Sequence, residues 1–419
     1  MTSPAPGGPG SAGPRVLLLV PARTYRAADF LLAAARMGLE LVIGSDGALP
    51  LGGRQVISVN PADPDGSASL VTARCGPVAA VVAVDAPMLD LAAAVAARLG
   101  LPHNPAEAVR NAADKARQRQ RWAAAGVPQP RFEIVPAATD DAVQQAARAV
   151  GFPCVVKAVS LSASQGILGA DDSAAARSAA RRIRNILAAA RRPEGEPLLI
   201  EEYLPGLELS IDGLLDDGRL AVTAIFDKPA APDGPTFEET LLLTPPLLPG
   251  QVLNAAIATA GQAARALGLT SGPVHAELRI DHRGGQARPV MLELAARSIG
   301  GLCSRVLRFP GGKTLEELIL ASALGQPVPA ISHHPARAAG VFMLPVPRPG
   351  VLCAVDGRDK AAAVPGITGL TITIPAGQRV RPLPDGDQYL GFIFAEAGTR
   401  HEVEQALTAA RDQLCVIIQ

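Results

Sequence analysis

The sequence is short of lysine, of aromatic residues and of any charge imbalance, and each shortage narrows what the chain can be. Its 39 basic residues balance 39 acidic ones and aromatics amount to 3%. A nucleic-acid binder needs a basic footprint and stacking residues, so nucleic acid is excluded as an expected partner. The five cysteines, Cys75, Cys154, Cys303, Cys353 and Cys415, are odd in number and make no CxxC pair. That suits inert thiols in a reducing compartment and argues against a zinc site. No window approaches eighteen apolar residues, so no membrane contact is expected and a cytoplasmic location is. Residues 1–14 are Gly/Pro/Ser/Ala-rich without an apolar core or preceding charge, and read as a disordered tail with no signal peptide. Only five of the basic residues are lysines, Lys115, Lys157, Lys228, Lys313 and Lys360. In so arginine-biased a chain, a lysine that persists is more often one needed as a compact ammonium.

What is present is core material. At 419 residues and 48% hydrophobic content the chain exceeds one hydrophobic core, and two to four domains are expected. Arg15–Val20 reads as a buried strand, Ala27–Met37 as a helix closed by Gly38, and Leu39–Ile43 as the next strand. With a strand at Val78–Val84 and a helix at Met88–Leu99, residues 15–103 read as a small parallel α/β domain. The first turn, Pro21-Ala-Arg-Thr24, lacks GxGxxG, so a dinucleotide is not indicated. Next come a helix over Asn111–Ala125, a strand at Arg131–Val135, a helix within Asp140–Val150, a strand through Phe152–Val159 and a helix over Ala174–Arg191 capped from Asp171, Asp172 or Ser173. Leu198–Tyr203 and Leu207–Leu215 read as strands joined across Pro205-Gly206 in an antiparallel α+β lobe. A helix at Val252–Leu267 precedes a hairpin. From about Ala338 short strands and turns lead to a helix at His401–Leu414 and a strand at Val416–Ile418, expected as a separate small domain.

The hairpin carries the sharpest chemical signal. Glu277 in Gly272–Ile280 and Glu293 in Pro289–Gly301 stand in short runs either side of Gly284-Gly285, a hairpin turn. A turn centred near Gly285 sets Glu277 opposite Glu293, where like charges repel unless a cation lies between them. The pair is therefore a candidate divalent-metal site, with Arg297 and Gly300-Gly301 behind it. The bland reading is two unrelated surface carboxylates. Lys157 interrupts an apolar strand, and the loop after it, Ser160–Ile167, offers backbone N–H groups and the hydroxyls of Ser160, Ser162 and Ser164. A lysine beside a flexible Ser/Gly loop grips a polyphosphate, although a snorkelling edge-strand lysine would look the same. Lys115 alone reads as a solvated helix face. Glu201-Glu202-Tyr203-Leu204, with Glu208 beyond it, could take a nucleoside, with backbone for a base and Glu208 for ribose hydroxyls.

In chain order these pieces resemble the ATP-grasp superfamily, whose members join a carboxylate to an amine or similar nucleophile through an acyl phosphate. The resemblance rests on Lys115 and Lys157, on Glu201–Leu204 with Glu208, and on Glu277 with Glu293-x-x-x-Arg297, and it covers nearly everything after residue 14. It implies an N-terminal parallel α/β domain (15–103), a two-lobed ATP-grasp domain (104–337, mobile lobe about 130–203) and a small α+β C-terminal domain (338–419). It implies ATP and Mg²⁺ or Mn²⁺ as cofactors. Lys115, Lys157, Ser164, Gly166, Glu201, Glu202, Tyr203, Leu204, Glu208 and Lys228 then fall on the nucleotide, and Glu277 and Glu293 on the metal. Arg297 and Lys157 fall to catalysis, and Gly300, Gly301 and Glu238 to the substrate. Within the superfamily, Phe226-Asp-Lys228, Phe237-Glu-Glu239, Arg297–Gly301 and Tyr389–Phe394 are similar to the L-amino acid ligases that make dipeptides. The implied partners are a small carboxylate and an amine, and a homodimer is left open. At Ala295 the pattern departs, since an asparagine commonly helps hold the second metal there. A bicarbonate-activating relative of the biotin-carboxylase or purine-pathway kind, and a non-catalytic nucleotide-binding protein, are the alternatives.

Overall fold

The computed structural model describes residues 13–48, 56–136, 139–229, 236–328 and 337–419; most of the expected N-terminal tail lies outside them. The apolar run β1 (Arg15–Val20) is fully buried at its centre, as a strand covered on both faces must be. Helix α1 (Ala27–Arg36) follows and β2 (Glu40–Ser45) returns parallel to β1, with Leu17 beside Val42. Two elements carry little periodicity and escape a sequence reading: the short strand β3 (Val56–Ser58) and helix α2 (Pro64–Arg74). A local device starts that helix, the Asp63 carboxylate accepting from Gly66 N–H with Pro64 just inside. Strand β4 (Ala80–Ala83) and helix α3 (Leu89–Leu99) complete a parallel sheet in the order β3-β2-β1-β4.

The single helix expected over Asn111–Ala125 is two helices, α4 (Ala106–Ala113) and α5 (Lys115–Ala124). Asp114 breaks them apart: its backbone is extended (φ −126°, ψ 114°) and its carboxylate caps α5 by accepting from Arg117 N–H. This break has a consequence for the site, because it places Lys115 at the first turn of α5 with its N–H donating to Val159 O at 3.0 Å.

Strands β5 (Phe132–Val135), β6 (Cys154–Ala158), β7 (Ile167–Ala170) and β8 (Leu198–Glu202) form an antiparallel sheet in the order β5-β8-β6-β7. Helices α6 (Asp140–Val150) and α7 (Ser173–Ala189) cover it, α6 capped by Thr139 and α7 by Asp172. Their apolar stripes, with Val143, Ala147, Ile183 and Leu187, close a core of their own against Val156 and Ile200.

The expected hairpin across Pro205-Gly206 does not form. Strand β9 (Glu208–Asp216) leaves β8 behind and joins a second sheet. Gly206 permits the crossing: at φ 112° it lies so close to the Ile280 carbonyl that an added Cβ would meet its oxygen at 2.2 Å. Strands β10 (Arg219–Lys228) and β11 (Leu241–Thr244), helix α8 (Gly250–Ala266), and strands β12 (Gly272–Asp281) and β13 (Arg288–Ala295) follow. Helix α9 (Leu315–Ala323) packs beneath the N-terminal sheet.

The last segment shares this sheet. Strands β14 (Ala338–Leu344), β15 (Gly350–Asp356), β16 (Ile367–Ile372), β17 (Arg379–Val380), β18 (Gly391–Ala397) and β19 (Cys415–Ile418) alternate with helices α10 (Arg358–Ala362) and α11 (Arg400–Asp412). β14, β18 and β16 extend the central sheet into eight strands, β13-β12-β9-β10-β11-β14-β18-β16, while β17-β15-β19 form a separate three-stranded sheet. The segment has its own apolar cluster under α11, yet backbone pairing of β11 with β14 joins it to the rest. Among the described residues no helix is long and apolar enough to cross a membrane.

Candidate active site

Two cavities meet at one wall. The smaller, about 320 Å³, lies between the β5-β8-β6-β7 sheet and strands β10, β12 and β13. The larger, about 970 Å³, is bounded by the N-terminal loops, the Ser160–Ile167 loop and the C-terminal segment. Ser164, Ile167, Glu239, Glu277 and Glu293 line both.

In the smaller cavity Lys157 reaches in from β6, its Nζ 2.7 Å from Glu201 Oε2. Arg119 bonds the other oxygen of the same carboxylate. Burial would raise the Glu201 carboxyl, but Arg119 and Lys157 more than offset it and hold it at about 2. Glu201 is thus spent on fixing two cations, and the neighbouring Glu202 carboxylate is held by Arg131 and Arg283. Tyr203 N–H donates to Pro153 O and Glu202 N–H to Arg131 O, while among the described residues Leu204 N–H donates to nothing. Glu208 is held on both oxygens, by Lys228 and by Arg279, each at 3.0 Å. Glu238, expected at the substrate, lies on the smaller cavity only. Gly166, expected to offer its N–H to a phosphate, donates it to Pro384 O at 3.2 Å and lines neither cavity. Ala163 and Ser164 hold left-handed backbone (φ 55° and 58°) at the turn of the loop, a conformation that persists only where surroundings impose it.

Glu277 stands opposite Glu293, though not by the turn alone: the register beside the turn pairs Asp281 with Arg288 and would set Glu277 against Leu292, and a β-bulge between Glu277 and Leu278 slips it to Glu293. Each of the two carboxylates has its own cation. Glu293 takes Lys115 Nζ at 3.1 Å, and that ammonium also donates to Leu161 O at 2.6 Å. Lys115 is therefore no solvated face; it is buried behind the shared wall. Glu277 takes Lys228 at 3.2 Å and His275 Nε2 at 3.1 Å. The result is a group that sequence spacing does not disclose, Glu208, Glu239 and Glu277, with carboxylate oxygens within 4.8 Å of one another around the Lys228 ammonium. Burial opposes charge throughout this group. It raises Glu239 to about 7, partly countered by Lys228 and reinforced by Glu277 and Glu208. Burial would also raise Glu277, but Lys228 and His275 keep it well below the carboxylate range. His275, which burial would lower, is raised to about 9 by Asp212, 3.0 Å from its Nδ1, and by Glu277. Hard oxygen donors so arranged at a polar wall suit Mg²⁺ or Mn²⁺, with Glu277 common to both carboxylate pairings. Ala295, opposite His275, adds no oxygen.

Arg297, Gly300 and Gly301 line the larger cavity. Their partners come from the N-terminal domain, which sequence reasoning missed. Tyr25 hydroxyl accepts from Gly301 N–H at 2.9 Å, Asp85 lies 3.8 Å from both Arg26 and Arg297, and Arg26 bonds Ser298. Tyr25 and Asp85 follow the carboxyl ends of β1 and β4, where open parallel sheets place their ligand crevice, and that rule could have found them. Glu239 stood beside Glu238 in a motif already noted, with no local signal to choose between them.

Residues 150–306 match the ATP-grasp domain family and residues 342–419 the L-amino acid ligase C-terminal domain 2 family. The chain is 30% identical over 339 residues to carnosine synthase 1 of Gallus gallus, covering 76% of this chain and 33% of that protein. It is 28% identical over 219 residues to alanine–anticapsin ligase of Bacillus subtilis (strain 168), covering 48% and 45%. The fold is similar to that of L-amino acid ligase from Bacillus licheniformis, with a TM-score of 0.84 at 23% identity over 98% of this chain and 100% of that one. The chain spans between 33% and 63% of the length of the curated relatives it matches. Together with the two-lobed site, these matches identify residues 150–306 as an ATP-grasp domain. Residues 342–419 match a C-terminal domain of the L-amino acid ligase kind, and the relatives include proteins named as ligases.

Proposed function

We propose that the chain is an ATP-dependent ligase that activates a carboxylate, that of an amino acid, as an acyl phosphate and joins it to an amine, releasing ADP and phosphate. The observation that carries this reading is the wall shared by the two cavities. A nucleotide in the smaller one would direct its terminal phosphate at that wall, and a carboxylate in the larger one would meet it from the other side. Lys157 would neutralise phosphate oxygens from β6, and Leu204 N–H and the Tyr203 face suit a purine. Glu277 and Glu293 would hold Mg²⁺, which when bound screens the phosphate charge. Arg297, which lines the larger cavity, would stabilise charge on the transferred phosphoryl group and then on the tetrahedral intermediate. The backbone at Gly300-Gly301 would approach the substrate closely; Gly301 holds φ 63°, where a side chain is strained, and a Cβ there would meet Met343 Sδ at 2.9 Å. The Ser160–Ile167 loop would keep water from an acyl phosphate that hydrolyses when wet.

The test is a screen of ADP and phosphate release over pairs of amino acids, with bicarbonate as a separate arm and product mass measured. Amino-acid-dependent ADP release with a product one water lighter than its parts supports the reading. AMP and pyrophosphate would overturn it, since they report adenylation.

A further inference from the structure

The loop that would exclude water is tied to the C-terminal segment at two consecutive residues. Gly166 N–H donates to Pro384 O at 3.2 Å, and the Gln165 amide donates to Asp385 O at 3.1 Å. The Asp385 carboxylate takes Arg182 of α7, with Nη2 2.6 Å and Nε 3.3 Å from its two oxygens. Loop and helix thus grip the same point from two directions. That point is the tip of a turn closed by Gly386 N–H on Pro382 O. Its two stems do something else: Gln378 and Arg379 on one side, and Asp387, Gln388 and Tyr389 on the other, line the larger cavity. One strap therefore touches the loop at its tip and the reaction space along its stems. The loop's other end is held by Ser160 to the Glu196 carboxylate and to Arg192 within its own lobe, and by Leu161 O to Lys115, so the strap is what holds its far end to the C-terminal segment.

Resting on the ligase reading above, we infer that Asp385 is a positioning residue: with Arg182 and Gln165 it latches the Ser160–Ile167 loop over the reaction space and sets how much activated carboxylate is lost to water. The ion pair is accessible, with side-chain exposures of 46% and 38%, so its single loss should shift the loop only about two- to fivefold. Removing the Gln165 amide as well should bring the shift to about tenfold.

The direct readout is hydrogen exchange of the Gly166 amide in the ligand-free protein, measured for Arg182→Ala, for Gln165→Ala with Arg182→Ala, and for the reversed pair Arg182→Asp with Asp385→Arg. Expected are exchange about two- to fivefold faster in the first, about tenfold in the second, and near-normal exchange in the reversed pair, which a merely structural role would not restore. Phosphate released per product formed should rise in the same order. Unchanged Gly166 exchange in the double variant, or a reversed pair no better than Arg182→Ala, overturns the latch. A wild type that hydrolyses ATP without forming product would sink the ligase reading alone, because the exchange measurement decides the latch without turnover.

Discussion

Replacing Lys228 by methionine keeps the length of its stem and removes the cation around which Glu208, Glu239 and Glu277 are gathered. Their oxygens lie within 4.8 Å of one another, and two unit charges at that distance repel by about 3.5 kcal/mol at an effective dielectric of 20. Three full charges cannot persist there, so the variant should take up roughly one extra proton at neutral pH. Breaking a buried ion pair on one side typically costs about 3–5 kcal/mol. That loss should appear at pH 8, where the carboxyls must ionise, and shrink to about 1–2 kcal/mol at pH 5, where protonated carboxyls can hydrogen-bond to each other. The sign is fixed by direction. A carboxyl whose folded pKa lies above its unfolded value, as Glu239 at about 7 already does, is least destabilising below the unfolded value and loses stability as pH rises through the folded one. Urea unfolding followed by Trp122 fluorescence is a suitable assay. Trp122 is the only tryptophan and packs in the cluster with Leu209 and Ile211, on the strand that carries Glu208. Millimolar Mg²⁺ should recover part of the stability in the variant and little in the wild type. Equal losses at pH 5 and pH 8 would refute the electrostatic account and leave only packing.

The remaining expectations concern single groups. Lys157→Ala should weaken ATP binding at least about tenfold, since it deletes a charged donor, whereas Lys313→Ala and Lys360→Ala, both exposed, should change the ATP KM less than about twofold; equal effects at the three sites would sever lysine scarcity from function. His275, raised to about 9 by its carboxylate partners, should contribute about 3 kcal/mol that is fully present below pH 6.5 and is lost as pH rises through 9. Wild type should therefore lose stability over that window more steeply than His275→Asn in melting curves, and parallel curves would contradict the pairing. Glu293→Ala should be at least as damaging to turnover as Glu277→Ala, and Ala295→Asn should keep activity or lower the Mg²⁺ needed for half-maximal rate. A Mg²⁺ titration with near-normal Glu293→Ala would assign the metal to the Glu208, Glu239 and Glu277 group.

Local rules carried the sequence a long way. The Gly-Gly turn was enough to bring Glu277 within one residue of Glu293, because a turn sets the register of a short hairpin, and a β-bulge beside Glu277 completed the pairing. The apolar run of β1, the capped α7 and the lone lysine of β6 were legible for the same reason: each is stated by residues within one or two turns of each other. The break at Asp114 was less so, because an alanine- and arginine-rich stretch favours helix on both sides and a single aspartate can cap as readily as it can be carried along. What only the tertiary structure decided is which charges meet. Glu208, Lys228, Glu239 and Glu277 come from separate strands and a connecting segment, and their meeting depends on the order in which β9, β10 and β12 pair, for which local sequence holds no code. The contributions of Tyr25 and Asp85 from one end of the chain, and of the strap at Asp385 from the other, depend likewise on how three lobes pack. Burial then gives those meetings their force, since the same groups in water would keep ordinary pKa values and attract one another weakly.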